Sequence, residues 1–154
     1  MEKCDIYERQ KLSSLTLSVH IQELCSLIDE YLNKFDRKDF FVFSESEEQN
    51  KIFRKEYYAF VSKLPTVMSP ADTTAAELSR LLSLADAEGK INMIELIGSK
   101  TEAYMEFLSA LDKYSRESKA IISSESISPS RLISGARKLK ASAEKLIESI
   151  LTDQ

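Results

Sequence analysis

Residues 17–35 read LSVHIQELCSLIDEYLNKF, and the spacing of their apolar side chains decides the fold class. Leu17, Ile21, Leu24, Ile28, Tyr31 and Phe35 recur at steps of 4, 3, 4, 3 and 4, which draws one line along a helix of about 3.6 residues per turn. Leu27 and Leu32 widen that line, while Gln22, Ser26, Asp29 and Asn33 occupy the other side. Upstream, Leu12, Leu15 and Val19 fall on a different face, which implies a kink or a contact with another element. The pattern predicts a helix from about Tyr7 to Phe35.

The same rhythm returns further along the chain. Phe53, Tyr57, Phe60 and Leu64 keep steps of 4, 3 and 4, behind a capping box at Ser44-x-x-Glu47 or Ser46-x-x-Gln49, until Pro65 is expected to end the helix. Ser69-Pro70-Ala71-Asp72 reads as a fresh start, with a cap residue before proline and an acid in the first turn. Leu78, Leu81, Leu82 and Ala85 supply its buried side, and Gly89 closes it in a left-handed cap. From Ile91 the line continues through Ile94, Ile97, Tyr104, Leu108 and Leu111, with Thr101 filling a skipped place and a possible break at Gly98-Ser99. Ser128-Pro129 opens the last helix, whose line is Leu132, Ala136, Leu139, Ala143, Leu146 and Ile150.

These lines predict an all-α chain: a compact bundle of about five helices, mostly antiparallel, forming one helical domain over 1–154. Composition agrees. Three Gly and three Pro in 154 residues are few for a turn-rich β fold, and 154 residues suffice for one core without staples.

Charge and cysteine usage narrow the function classes. A net charge of −4 argues against a protein that grips a phosphate backbone, so nucleic acid is an unlikely partner. No apolar run approaches the roughly 18–20 residues that span a bilayer, and the N-terminal Met1-Glu2-Lys3-Cys4-Asp5 is polar, so no membrane insertion is expected. Cys4 and Cys25 lack metal or redox spacing and read as free thiols in a reducing compartment, which implies a cytoplasmic location.

Residues 84–95, LADAEGKINMIE, form the most suggestive local pattern. They resemble the twelve-residue loop of an EF-hand, a helix–loop–helix calcium module, which sets oxygen ligands at positions one, three and five, Gly at six and Glu at twelve. The resemblance implies Asp86, Glu88 and Glu95 as ligands around Gly89, with Ile91 at position eight. Leu84 stands where the first aspartate belongs, so a main ligand is missing.

Other chemistry finds little footing. His20 is the lone histidine, and a helical bundle with one histidine resembles phosphotransfer domains in outline. Glu23 and Leu24, one turn on, oppose a phosphoryl group by charge and bulk, so His20 reads as a boundary residue. One histidine and two distant cysteines cannot assemble a Cys/His zinc site, and nucleophile triads and phosphate-cradling glycine loops are missing. No catalytic residues and no cofactor are expected.

What remains is binding. The aromatic run Phe40, Phe41 and Phe43 and the basic line Arg131, Lys138 and Lys145, at steps of seven, are the candidate partner-binding residues. Lys140, near that line, is placed to pair with Glu144. The expected function is a non-enzymatic protein-protein interaction or regulatory module. The alternatives are a self-assembling structural subunit that forms a homo-oligomer, or a calcium-responsive module around residues 84–95.

Overall fold

Each apolar line demands a surface to cover it, and the computed structural model meets that demand with four long helices. It describes residues 3–35, 47–125 and 127–152. Helix α1 spans Lys3–Phe35, α2 Glu47–Ala87, α3 Ile91–Ile122 and α4 Pro129–Thr152, with no strand among the described residues. Helix α1 packs on α2 and α4, α3 packs on the same two, and α1 barely meets α3 across the diagonal.

Contacts along each seam run in opposite order, so neighbouring helices are antiparallel. Phe35 stacks on Phe53 and Tyr31 on Phe60 between α1 and α2. Tyr57 bonds Ser118 and Tyr104 bonds Asp72 between α2 and α3. Lys100 reaches Ile150 and Tyr114 lies beside Gly135 between α3 and α4, and Asp29 pairs with Lys140 while Cys25 lies near Glu144 between α1 and α4.

The lines Leu17 to Phe35 and Leu132 to Ile150 are buried at every predicted position. The helix count differs from expectation. Pro65 does not stop a helix and Pro70 does not start one; both lie inside the 41-residue α2.

The reason lies in the phase of the apolar line. Phe53, Tyr57, Phe60, Leu64, Met68, Ala71, Ala75, Leu78, Leu82 and Ala85 run at steps of 4, 3, 4, 4, 3, 4, 3, 4 and 3, all buried or packed against the core. The rhythm crosses both prolines without slipping. One continuous helix therefore keeps both halves on the core, where a break would need a loop to restore register. Pro65 itself is exposed and Pro70 half-buried. Each removes the partner of a carbonyl four residues back, on Val61 and on the exposed Thr66. Side-chain hydroxyls bond back to the helix nearby: Ser62 to the Ala59 carbonyl, Thr73 to Ser69 and Thr74 to Pro70.

Helix α3 also runs unbroken through Gly98-Ser99. Its buried line passes through Lys100 and not Thr101: Ile97, Lys100, Tyr104 and Phe107 are buried, followed by Tyr114, Ser118 and Ile121.

The caps follow their expected chemistry where they are described. Gly89 adopts φ +70, the Lys90 amide donates to the Ala85 carbonyl and the Gly89 amide to Asp86, a Schellman closure of α2. Ser128 Oγ accepts the Arg131 amide at 3.4 Å, capping α4 ahead of Pro129. Ser44 and Ser46, the two candidate caps of α2, lie outside the described residues.

An interior proline costs a helix about 3 kcal/mol, part of which it returns by stiffening the unfolded chain. Replacing Pro65 with alanine should therefore stabilise the protein by about 1–2 kcal/mol, read as a higher guanidinium midpoint. A lower midpoint for Pro65→Ala would mean that the helix does not continue through this site.

Candidate functional site

Helix α4 carries its basic line on the surface. Arg131, Lys138 and Lys145 are all exposed, while Leu132, Ala136, Leu139, Ala143, Leu146 and Ile150 hold the buried side of the same helix. None of the three cations has an ion-pair partner among the described residues. Seven residues of helix rise about 10.5 Å, so the three charges form a ladder of roughly 21 Å. Arg137 is exposed beside it. Lys140, by contrast, is engaged: its ammonium meets Asp29 of α1 at 2.7 Å, and Glu144 supplies a weaker attraction. The hydrogen bond to Asp29 holds that ammonium above its ordinary value. The seam between α1 and α4 thus takes one cation of the helix and leaves the line free.

The aromatic candidates Phe40, Phe41 and Phe43 lie outside the described residues.

Residues 84–95 do not form a twelve-residue loop. Leu84, Asp86 and Ala87 belong to α2, Ile91 to Glu95 belong to α3, and Glu88, Gly89 and Lys90 alone join them. The Glu88 carboxylate is 3.0 Å from the Lys90 ammonium. Asp86, Glu88 and Glu95 are not drawn together, and the described residues hold no cluster of three His, Cys, Asp or Glu side chains placed to share a metal ion.

His20 sits between the buried Leu17 and Leu24. Its Nδ1 is 3.9 Å from Glu23 Oε2, beyond hydrogen-bonding reach, and has no hydrogen-bond partner among the described residues. Cys25 is a free thiol on the α4 side of α1, and burial, reinforced by Glu144, pushes its ionisation up, away from a reactive thiolate.

None of the protein-family models, curated proteins or solved structures compared with this chain matches it. Its residues have to be read on their own terms.

Three features escaped sequence reasoning. The first is Lys100, fully buried, whose ammonium donates to the Ile150 carbonyl at 3.1 Å. That carbonyl belongs to the last turn of α4, where helices as a rule run short of intrahelical donors, so the lysine acts as a cap supplied by a neighbouring helix. The second is Arg54, whose Nε and Nη2 donate to the Ile122 and Ser124 carbonyls at 3.1 Å and close the end of α3. Beside it, Asn50 donates to the Glu125 carbonyl at 2.7 Å.

The third is a group of hydroxyls in the core. Tyr57 bonds Ser118 at 2.7 Å, and Ser118 donates onward to the Ser115 carbonyl. The Tyr31 and Tyr114 hydroxyls lie close enough to affect each other's ionisation, and neither has a hydrogen-bond partner among the described residues. Burial, then the neighbouring phenols, raises both well above the usual tyrosine range; burial also raises Tyr57. Tyr104 is raised by burial and by donating to the Asp72 carboxylate.

Because the folded state holds these four tyrosines protonated, their contribution to stability is complete below the unfolded value of about 10 and is lost as pH climbs above it. In an alkaline titration followed by phenolate absorbance, Tyr31, Tyr57, Tyr104 and Tyr114 should ionise together with loss of helical circular dichroism. Ionisation of all six tyrosines ahead of any loss of helix would contradict the buried placement.

Proposed function

We propose that this chain is a non-enzymatic, cytoplasmic protein-binding module with a regulatory role, and that the basic line Arg131, Lys138 and Lys145 docks an acidic surface of its partner. The observation that carries the reading is the contrast along α4: Lys140 is taken up by Asp29, whereas the three cations of the line are exposed and unpaired among the described residues. A fold that needed them for its own stability would have paired them as it paired Lys140. A line of fixed charges on a rigid helix suits recognition, since charge complementarity sets orientation and speeds encounter more than it adds affinity. The overall charge of −4 favours an acidic protein over nucleic acid as the counterpart. A cytoplasmic setting accords with a free Cys25 and with described helices none of which is long and apolar enough to cross a membrane.

The test is a comparison of baits: the wild-type chain, and a triple variant Arg131→Glu, Lys138→Glu, Lys145→Glu, each presented to native lysate. The reversed charges lie away from the core, so the variant should melt as wild type does. Exposed charges each contribute about 0.2–1 kcal/mol, so reversing three should weaken capture of the specific partner by roughly tenfold or more. The wild-type complex should also weaken as salt rises. Equal capture by both baits would eliminate this surface.

A further inference from the structure

Nearly every buried polar atom in a folded protein has a hydrogen-bond partner, and one without a protein partner points to a bound molecule. Helices α1 and α2 each supply such an atom. The Tyr31 hydroxyl of α1 belongs to a side chain only 2% exposed, and Glu56 of α2 keeps its Oε2 buried as well. Neither atom makes a hydrogen bond among the described residues, although Glu56 Oε2 forms an ion pair with the Lys34 ammonium at 2.8 Å. The two side chains are near enough for the carboxylate to disfavour ionisation of the phenol. Both residues line one cavity of about 10 Å³ at the seam between α1 and α2.

We propose that this cavity is a binding site for a single ordered water that bridges Tyr31 and Glu56. Size and charge together select that ligand. One water needs roughly 10–15 Å³, so nothing larger fits. The four charged residues of the cavity cancel: Lys34 pairs with Glu56 at 2.8 Å and Lys63 with Glu30 at 3.7 Å, so no net charge calls for an ion. A buried water makes about three hydrogen bonds to groups otherwise unsatisfied. Here the Tyr31 O–H donates to the water, the water donates to Glu56 Oε2, and the Lys34 ammonium, with three N–H groups, supplies the third bond. The bridge ties a core phenol of α1 to a carboxylate of α2 that Lys34 of α1 already holds, closing a ring across the seam. Such a bond is nearly as favourable in enthalpy as a direct one. The Tyr114 hydroxyl also lacks a partner among the described residues, but Tyr114 does not line this cavity.

Magnetic relaxation dispersion of the water oxygen counts waters held inside a protein and does not respond to exchange of hydroxyl or ammonium protons. Tyr31→Phe removes the hydroxyl and keeps the ring that stacks on Phe60, so it should lower the wild-type count by one. Ala59→Val fills the cavity from its α2 wall without touching either oxygen, and should lower the count by one as well. Both variants should keep the wild-type circular dichroism; if Ala59→Val folds poorly, Tyr31→Phe alone decides. A count unchanged by Tyr31→Phe would mean that its hydroxyl is served elsewhere, and overturns the site. A folded Ala59→Val that keeps the full count overturns it equally, because the water lost with the hydroxyl would then lie outside this cavity.

Discussion

Burial of an unbroken apolar line along α2 is the constraint from which the rest of the architecture follows. Two prolines in a helix interior cost about 3 kcal/mol each, and neither has a compensating role at a turn or cap in this chain. The helix continues because Phe60 on one side and Met68, Ala71 and Leu78 on the other face the same core. Burying a large apolar side chain contributes about 1.5–3 kcal/mol, so losing register over half of α2 would outweigh the local damage. With α2 kept whole at 41 residues, α1 and α3 have a long rail on which to lie. The short Glu88–Lys90 corner then forces α3 back along α2.

A core of this kind is generic, and its polar members make it particular. Lys100 interrupts the apolar line of α3 and bonds the last turn of α4, which fixes how far one helix can slide past the other. Tyr57 and Ser118 do the same for α2 and α3. A buried polar group that must reach its partner penalises registers that would separate the two, a role best attested where such groups set helix alignment. The Tyr31 and Tyr114 hydroxyls are the opposite case, buried with no hydrogen-bond partner among the described residues, and each stays neutral because the surroundings disfavour its charge.

These particulars explain what was legible in the sequence. The lines at 17–35 and 132–150 could be read outright, because strict steps of 3 and 4 leave one geometry for the backbone and one side for the core. Pro65 misled because proline acts locally while the phase of the apolar line, which decided the outcome, emerges only over some thirty residues. Lys100 was passed over for Thr101 because a charged residue in a buried line has meaning only once its partner is seen, and the Ile150 carbonyl lies fifty residues away. At residues 84–95 the resemblance to a calcium loop rested on residue identities, whereas the backbone obeyed Gly89 and turned in three residues. The odd face of Leu12, Leu15 and Val19 was visible; that nothing described covers it was not.

The basic line of α4 and the buried line of the same helix answer to different forces. Leu132, Ala136, Leu139, Ala143, Leu146 and Ile150 hold the helix in place by burial, which salt does not screen. Arg131, Lys138 and Lys145 are exposed, and three charges spread over roughly 21 Å act through solvent, where each contributes little and screening weakens it further. If the line docks a partner as proposed, salt would therefore loosen the complex and leave the fold unchanged.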